Sequence, residues 1–137
     1  MLTGYAANFG VVCGGRYIVA RGAFYELLRR ATKPKMLLNH EGPEIGEWLA
    51  MTANDRGLFV TGQLWDNPRA KEAIQLYDEG CLTGLSLGPK GAAWDEMRCG
   101  IKILTKINRI DEISLCGEPH DPAALITQFE VATCQDQ

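Results

Sequence analysis

Apolar and polar residues alternate along much of this chain, while helical spacing is confined to two stretches. Tyr5 to Cys13 reads as a first strand, stopped by Gly14-Gly15, and Arg16 to Ala20 as a short return strand. Between Gly22 and Arg30, Phe24, Leu27 and Leu28 fall at i, i+3 and i+4, which predicts a helix ended by Thr32-Lys33-Pro34. Met36-Leu37-Leu38 is a short apolar strand running into Asn39-His40, with a polar loop at Glu41-Gly42-Pro43-Glu44. Ile45–Thr52 and Leu58–Trp65 flank the turn signal Asn54-Asp55-Arg56-Gly57 and predict a hairpin. The second helix spans Pro68 to Glu79: Asn67 can cap it, Pro68 suits its first position, and Gly80 its end. Ala70, Ala73, Ile74 and Tyr77 lie on one face of that helix, which should pack on a sheet.

The second half is β-leaning. Gly84 to Gly88 alternates, with Leu85 and Leu87 on one face and Ser86 on the other, and Pro89-Lys90-Gly91 is expected to break the strand. Ile101 to Cys116 reads as long β structure, bent or turned near Asn108-Arg109. At its end Ile113 and Leu115 share one face, Glu112 and Ser114 the other. A last strand is expected at Ile126 to Val131. Six to eight strands in series with two helices predict an α+β, mainly β fold: a mainly antiparallel sheet or barrel with helices laid outside it, not a doubly wound sheet.

Composition narrows the function. The chain has 137 residues, 46% of them hydrophobic and 23% charged, which suits a single globular domain, 1–137. A net charge of −3 leaves no basic excess for phosphate binding, so no nucleic acid partner is expected. No apolar run approaches the roughly 20 residues of a membrane helix, and Met1-Leu2-Thr3-Gly4-Tyr5 has no secretory pattern, so no membrane or signal segment is expected. The five cysteines are scattered without a C-x-x-C pair, as in reduced thiols of a cytosolic compartment, and with only His40 and His120 they suggest no metal site.

Only two serines occur, Ser86 and Ser114, so a serine nucleophile is a binary choice. Gly84-Leu85-Ser86-Leu87-Gly88 matches G-x-S-x-G, but no helix follows, which excludes the nucleophile elbow of α/β-hydrolases. Taken singly, Ser86 is a strand serine, His40 a strand-end histidine, and Glu112 a paired carboxylate among aliphatic neighbours. Taken together, Ser86, His40 and Glu112 supply a nucleophile, a general base and an acid that orients the base. Thiol chemistry at Cys116 or Cys81 is the alternative, with packing as the ordinary role of such cysteines.

Several segments, in order, resemble the caudovirus prohead serine proteases, which mature the capsids of tailed phages. They are Gly4-Tyr5-Ala6 to Gly10, Arg21-Gly22-Ala23-Phe24, Leu37-Leu38-Asn39-His40 with Ile45-Gly46, and Asp55-Arg56-Gly57-Leu58 with Gly62. Then come Glu72-Ala73 to Gly80, Leu82-Thr83-Gly84-Leu85-Ser86-Leu87-Gly88, and Asp111-Glu112-Ile113-Ser114-Leu115 with Pro119 and Ala123-Ala124. The resemblance, which covers Tyr5 to Ala124, implies a herpesvirus assemblin-like fold, a β-barrel ringed by helices. It implies catalysis by Ser86 as nucleophile, His40 as base and Glu112 as third member, where assemblins carry a second histidine. Ser114 becomes a strand residue without a catalytic role.

The resemblance further implies that scaffold, the removable segment of the major capsid protein and the protease itself are substrates. It implies a homo-oligomer, assemblins being dimers, working inside the prohead in the host cytoplasm without metal or cofactor. This chain departs from the pattern in two places. Gly117-Glu118-Pro119-His120 stands where assemblins place arginines, and Gly88-Pro89 where the family often has an aromatic residue. It is also short for the family, as either a trimmed catalytic domain or a natural short form. The alternative on the same fold is a non-catalytic scaffold or head-assembly module.

Overall fold

A computed structural model of the chain describes residues 1–30, 33–96, 100–119 and 121–129, with the backbone alone for 89–96. The expectations that fall on Thr32, Cys99, His120, Val131 and Cys134 lie outside the described residues. Among the described residues, eight strands and two helices follow in the order β1 (Leu2–Asn8), β2 (Tyr17–Val19), α1 (Tyr25–Arg29), β3 (Lys35–Leu38), β4 (Glu41–Ala53), β5 (Gly57–Leu64), α2 (Pro68–Asp78), β6 (Gly84–Glu96), β7 (Lys102–Cys116) and β8 (Ile126–Phe129).

The long strand β7 organises the sheet. It pairs antiparallel with β6 along one edge and parallel with β2 and then β3 along the other. The segment from β2 through α1 to β3 therefore lies along a single edge of β7, tied midway by Ile107 N–H donating to Ala23 O at 2.9 Å. So Arg16–Ala20 meets the first segment only at single bridges, Cys13 with Tyr17 and Phe9 with Val19, and the continuous partner of the β2 within it lies 85 positions away in sequence, Tyr17 against Lys102. From β3 the sheet continues through β4, β5 and β1 to β8.

The sheet is open; the expected closed barrel does not form. Among the described residues the ends are linked by isolated bridges: Gly84 bridges Leu125, with Leu85 N–H on Ala124 O at 2.8 Å and Ile126 N–H on Thr83 O at 3.0 Å, and Phe9 bridges Val19, with Gly10 N–H on Val19 O at 3.2 Å. β8 is four residues long and covers only the Leu2–Gly4 part of β1. At the other end of β1, Asn8 N–H donates to the buried Asp121 Oδ2 at 2.7 Å. A carboxylate thus takes the edge donor that a closing strand would need. A cavity of about 280 Å³, lined in part by Ala6, Ala7, Leu85 and Leu87, lies between β1 and β6.

Two predicted breaks are absorbed into strands. Pro89 stays within β6 because the ladder shifts there: Gly88 faces Glu112, Pro89 faces Ile110, and Asp111 is the extra residue of a bulge. A proline is tolerated at such a site because the bulge asks for no regular ladder donor. Glu41 opens β4, and residues 42–45 bulge opposite Leu37 alone. The chain reverses earlier than expected, at Asn39-His40.

Local signals elsewhere act as predicted. Asn67 Oδ1 accepts Ala70 N–H at 2.8 Å and caps α2, and Asn54 Oδ1 accepts the Arg56 and Gly57 amides in the β4–β5 turn. The core centres on Trp48, 1% exposed, whose Nε1–H donates to Ile113 O at 3.3 Å. Gly62 makes room for it, since a Cβ there would lie 2.7 Å from the indole ring. Trp48→Ala is expected to lower stability by about 3–5 kcal/mol, read as a fall in urea midpoint with an unchanged slope.

Candidate active site

Strands β3, β7 and β6 lie side by side, and their register places Leu37, Ser114 and Ser86 in one row across the sheet. Side chains alternate along β7, so Ile113 and Leu115 enter the core with no exposure. Glu112, Ser114 and Cys116 therefore occupy the other face, as the alternation predicted. Ser86 stands directly opposite Ser114 and shares that face.

His40 is carried by the tight turn between β3 and β4. Leu38 pairs with Glu41, and both residues between them are left-handed, Asn39 at φ 52° and His40 at φ 64°. Positive φ at both central residues marks a type I′ hairpin turn. For a histidine this conformation costs about 1–2 kcal/mol, and three contacts offset it. Asn39 N–H donates to Leu115 O at 3.0 Å, His40 N–H donates to Ser114 Oγ at 3.0 Å, and Arg69 Nη2–H, from α2, donates to Leu38 O at 3.2 Å. The turn is thereby held against the end of β7.

The histidine and the acid meet there. His40 Nδ1 is hydrogen-bonded to Glu112 Oε1, and Glu112 Oε2 accepts from Ser114 Oγ at 2.5 Å. The His40 side chain is 46% exposed and that of Glu112 13%, so the acid lies under a ring that reaches solvent. Gly88, facing Glu112 across the ladder, leaves the needed space: a Cβ there would sit 2.7 Å from Glu112 Oε1. Asp111, the other acid of the motif, is at the bulge and accepts from Arg109 Nε–H at 2.7 Å. Ser86 Oγ has no hydrogen-bond partner among the described residues, so the link from Ser86 to His40 is not made here. Catalytic hydrogen bonds of this kind often close only when substrate is bound.

Sequence reasoning treated Ser114 as a plain strand residue and passed over Arg69. The signal for Ser114 was its position two residues from Glu112 on the same face. Arg69 is tied to the β3–β4 turn only by tertiary packing of α2 and leaves no local signature.

The geometry weighs against the thiol alternative at Cys116. This cysteine is buried on the Glu112 face, and burial, reinforced by the Glu112 charge, pushes its thiol up to about 11 despite a hydrogen bond at Glu118. A thiol held protonated is a poor nucleophile. Burial likewise pushes Cys13 up to about 12, with Asp121 adding to it, and Tyr17 up to about 12, with Cys13 and Asp121 adding. An unfolded chain releases these protons from about pH 9, near the ordinary thiol value, whereas the folded chain holds them to about 11–12. Between those limits the unfolded state binds fewer protons, so stability falls as pH rises. The melting temperature is expected to fall progressively above about pH 9, the ordinary thiol value; a flat profile from pH 8 to 11 would contradict this.

A family model described as caudovirus prohead serine protease matches residues 1–136. The chain belongs to that family. The prohead protease of Enterobacteria phage HK97 is 30% identical over 132 residues, covering 93% of this chain and 59% of that protein. Two solved structures share the fold. A crystal structure of KSHV protease in complex with a hexapeptide phosphonate inhibitor matches at TM-score 0.60 and 13% identity, over 96% of this chain and 65% of that one. The varicella-zoster virus protease matches at TM-score 0.55 and 15% identity, over 91% of this chain and 61% of that one. The chain thus spans less than two thirds of the length of each of these relatives. Family membership and fold together place the expected assemblin-like architecture on an open, mainly β sheet.

Proposed function

We propose that this family member is a serine endopeptidase of prohead maturation, with Ser86 as nucleophile, His40 as general base and Glu112 as the group that orients the base. The observation that carries this reading is the bond between His40 Nδ1 and Glu112, formed on the sheet face that Ser86 shares. With Nδ1 engaged by a carboxylate, the imidazole keeps Nε2 as its basic nitrogen, the arrangement a triad requires. Ser86 Oγ attacks a peptide carbonyl carbon while His40 Nε2 takes its proton. The imidazolium then protonates the leaving amine, and water, deprotonated by the same nitrogen, hydrolyses the acyl-enzyme. Glu112 holds the ring in the correct tautomer and offsets the imidazolium charge.

Family membership supports scaffold, the removable segment of the major capsid protein and the protease itself as substrates, cleaved inside the prohead by a homo-oligomer. No helix among the described residues is long and apolar enough to cross a membrane. The direct test is a fluorophosphonate probe, with the labelled residue located by mass spectrometry, alongside co-expression with scaffold and capsid protein. Labelling at Ser86 and cleavage of either partner support the endopeptidase. Labelling elsewhere, or intact partners in assembled proheads, would favour the non-catalytic assembly module.

A further inference from the structure

We infer that Ser114 is a positioning residue of this site, acting through both Glu112 and His40; the inference rests on the triad reading above. A hydroxyl offers one donor and two acceptor lone pairs. The Ser114 donor goes to Glu112 Oε2 at 2.5 Å, and its oxygen accepts His40 N–H at 3.0 Å. One atom therefore joins the carboxylate to the main chain of the histidine it must orient. Ser114 is fully buried, so no water stands ready to replace it.

Each bond fixes a different degree of freedom. With Oε2 held by Ser114, the carboxylate plane is set and Oε1 is left for His40 Nδ1. With His40 N–H held, the turn keeps its left-handed backbone and the imidazole its approach to the acid. The register adds a third element: Ser114 lies in the row Leu37, Ser114, Ser86, between the strand that ends in the base and the strand that carries the nucleophile. Removing the hydroxyl leaves a part-buried carboxylate oxygen and the part-buried His40 amide without this partner at once, a loss on two sides of the site.

The test uses the full chain and its rate of acylation by a fluorophosphonate at Ser86. Ser114→Ala is expected to slow acylation by about 10- to 100-fold, the range for losing a hydrogen bond to a charged group. Ser114→Cys, which keeps the shape but is a weak donor and acceptor, is expected to fall between alanine and the parent. It also serves as the readout if the alanine variant does not fold. The discriminating arm is Ser114→Ala combined with Glu112→Gln. Because Ser114 works through Glu112 as well as through His40, the double variant is expected to be slowed by clearly less than the product of the two single losses. Additive losses, or single variants within about threefold of the parent, overturn the inference. A parent chain labelled with no dependence on Ser86 overturns the triad reading instead, so the two failures are distinct.

Discussion

Ser86→Ala is expected to abolish cleavage of scaffold and capsid protein and all fluorophosphonate labelling, a loss of about a thousandfold or more, while leaving the fold intact. The two halves of this expectation come from different observations. Ser86 stands on the face of Ser114 and Glu112, and of the two serines it is the one whose hydroxyl is uncommitted among the described residues. Under the proposed triad, loss of the oxygen removes the atom that forms the acyl-enzyme. Stability has little to lose, because no described hydrogen bond disappears and the side chain is only half-buried. The melting temperature should stay within a few degrees of the parent, as for substitutions away from core features. Ser114→Ala makes the informative comparison: it removes a committed hydroxyl and should slow rather than abolish the reaction. Cleavage that survives Ser86→Ala unchanged would end the proposal for this serine.

The elements legible from the sequence were those whose causes are local. Asn67, Pro68 and Gly80 announce α2, and Asn54 with Gly57 announces the β4–β5 turn, because each residue satisfies a backbone need within a few positions. Alternation on β7 gave the correct faces for Glu112 and Ile113. What escaped was set by pairings between distant segments. The parallel docking of β2 on β7 and the failure of β6 to join β1 depend on which edges meet, and no short stretch encodes that. Pro89 reads as a break locally, yet the ladder accommodates it by bulging Asp111. Gly42-Pro43 drew the turn away from Asn39-His40, where the hairpin closes under contacts from β7 and α2.

The site divides along the same line. Residue types and order pointed to His40, Ser86 and Glu112, and the structure joins the first and third directly. The supporting parts were invisible: a hydroxyl bonded on two sides, an arginine from a helix, and a glycine whose missing Cβ admits a carboxylate. Each depends on the distance between atoms of separate elements. Patterning selects the reacting groups far more readily than it selects the groups that hold them.

Glu112→Gln is expected to be nearly as damaging as loss of the nucleophile, with kcat falling by about 10²–10⁴, the upper value being that of the acid-to-amide change in a Ser-His-Asp triad. The amide matches the carboxylate in size, so Gly88 still accommodates it and the fold should be retained. Its chemistry differs on both sides. The ionised carboxylate accepts from His40 and from Ser114 at once, whereas the amide has one oxygen and one NH₂ group. If the oxygen faces His40, the tautomer survives and the counter-charge for the imidazolium is lost. If the NH₂ group faces His40, it donates to Nδ1, and the ring must carry its proton on Nε2, where it can no longer accept from Ser86. Either orientation slows the acylation and deacylation steps while the peptide-binding surface is unchanged, so kcat should fall with KM nearly constant. Asp111→Asn, at the bulge and paired with Arg109, is the matched control and should retain most activity. A Glu112→Gln protein as active as the parent would remove Glu112 from the triad and leave a Ser86–His40 dyad.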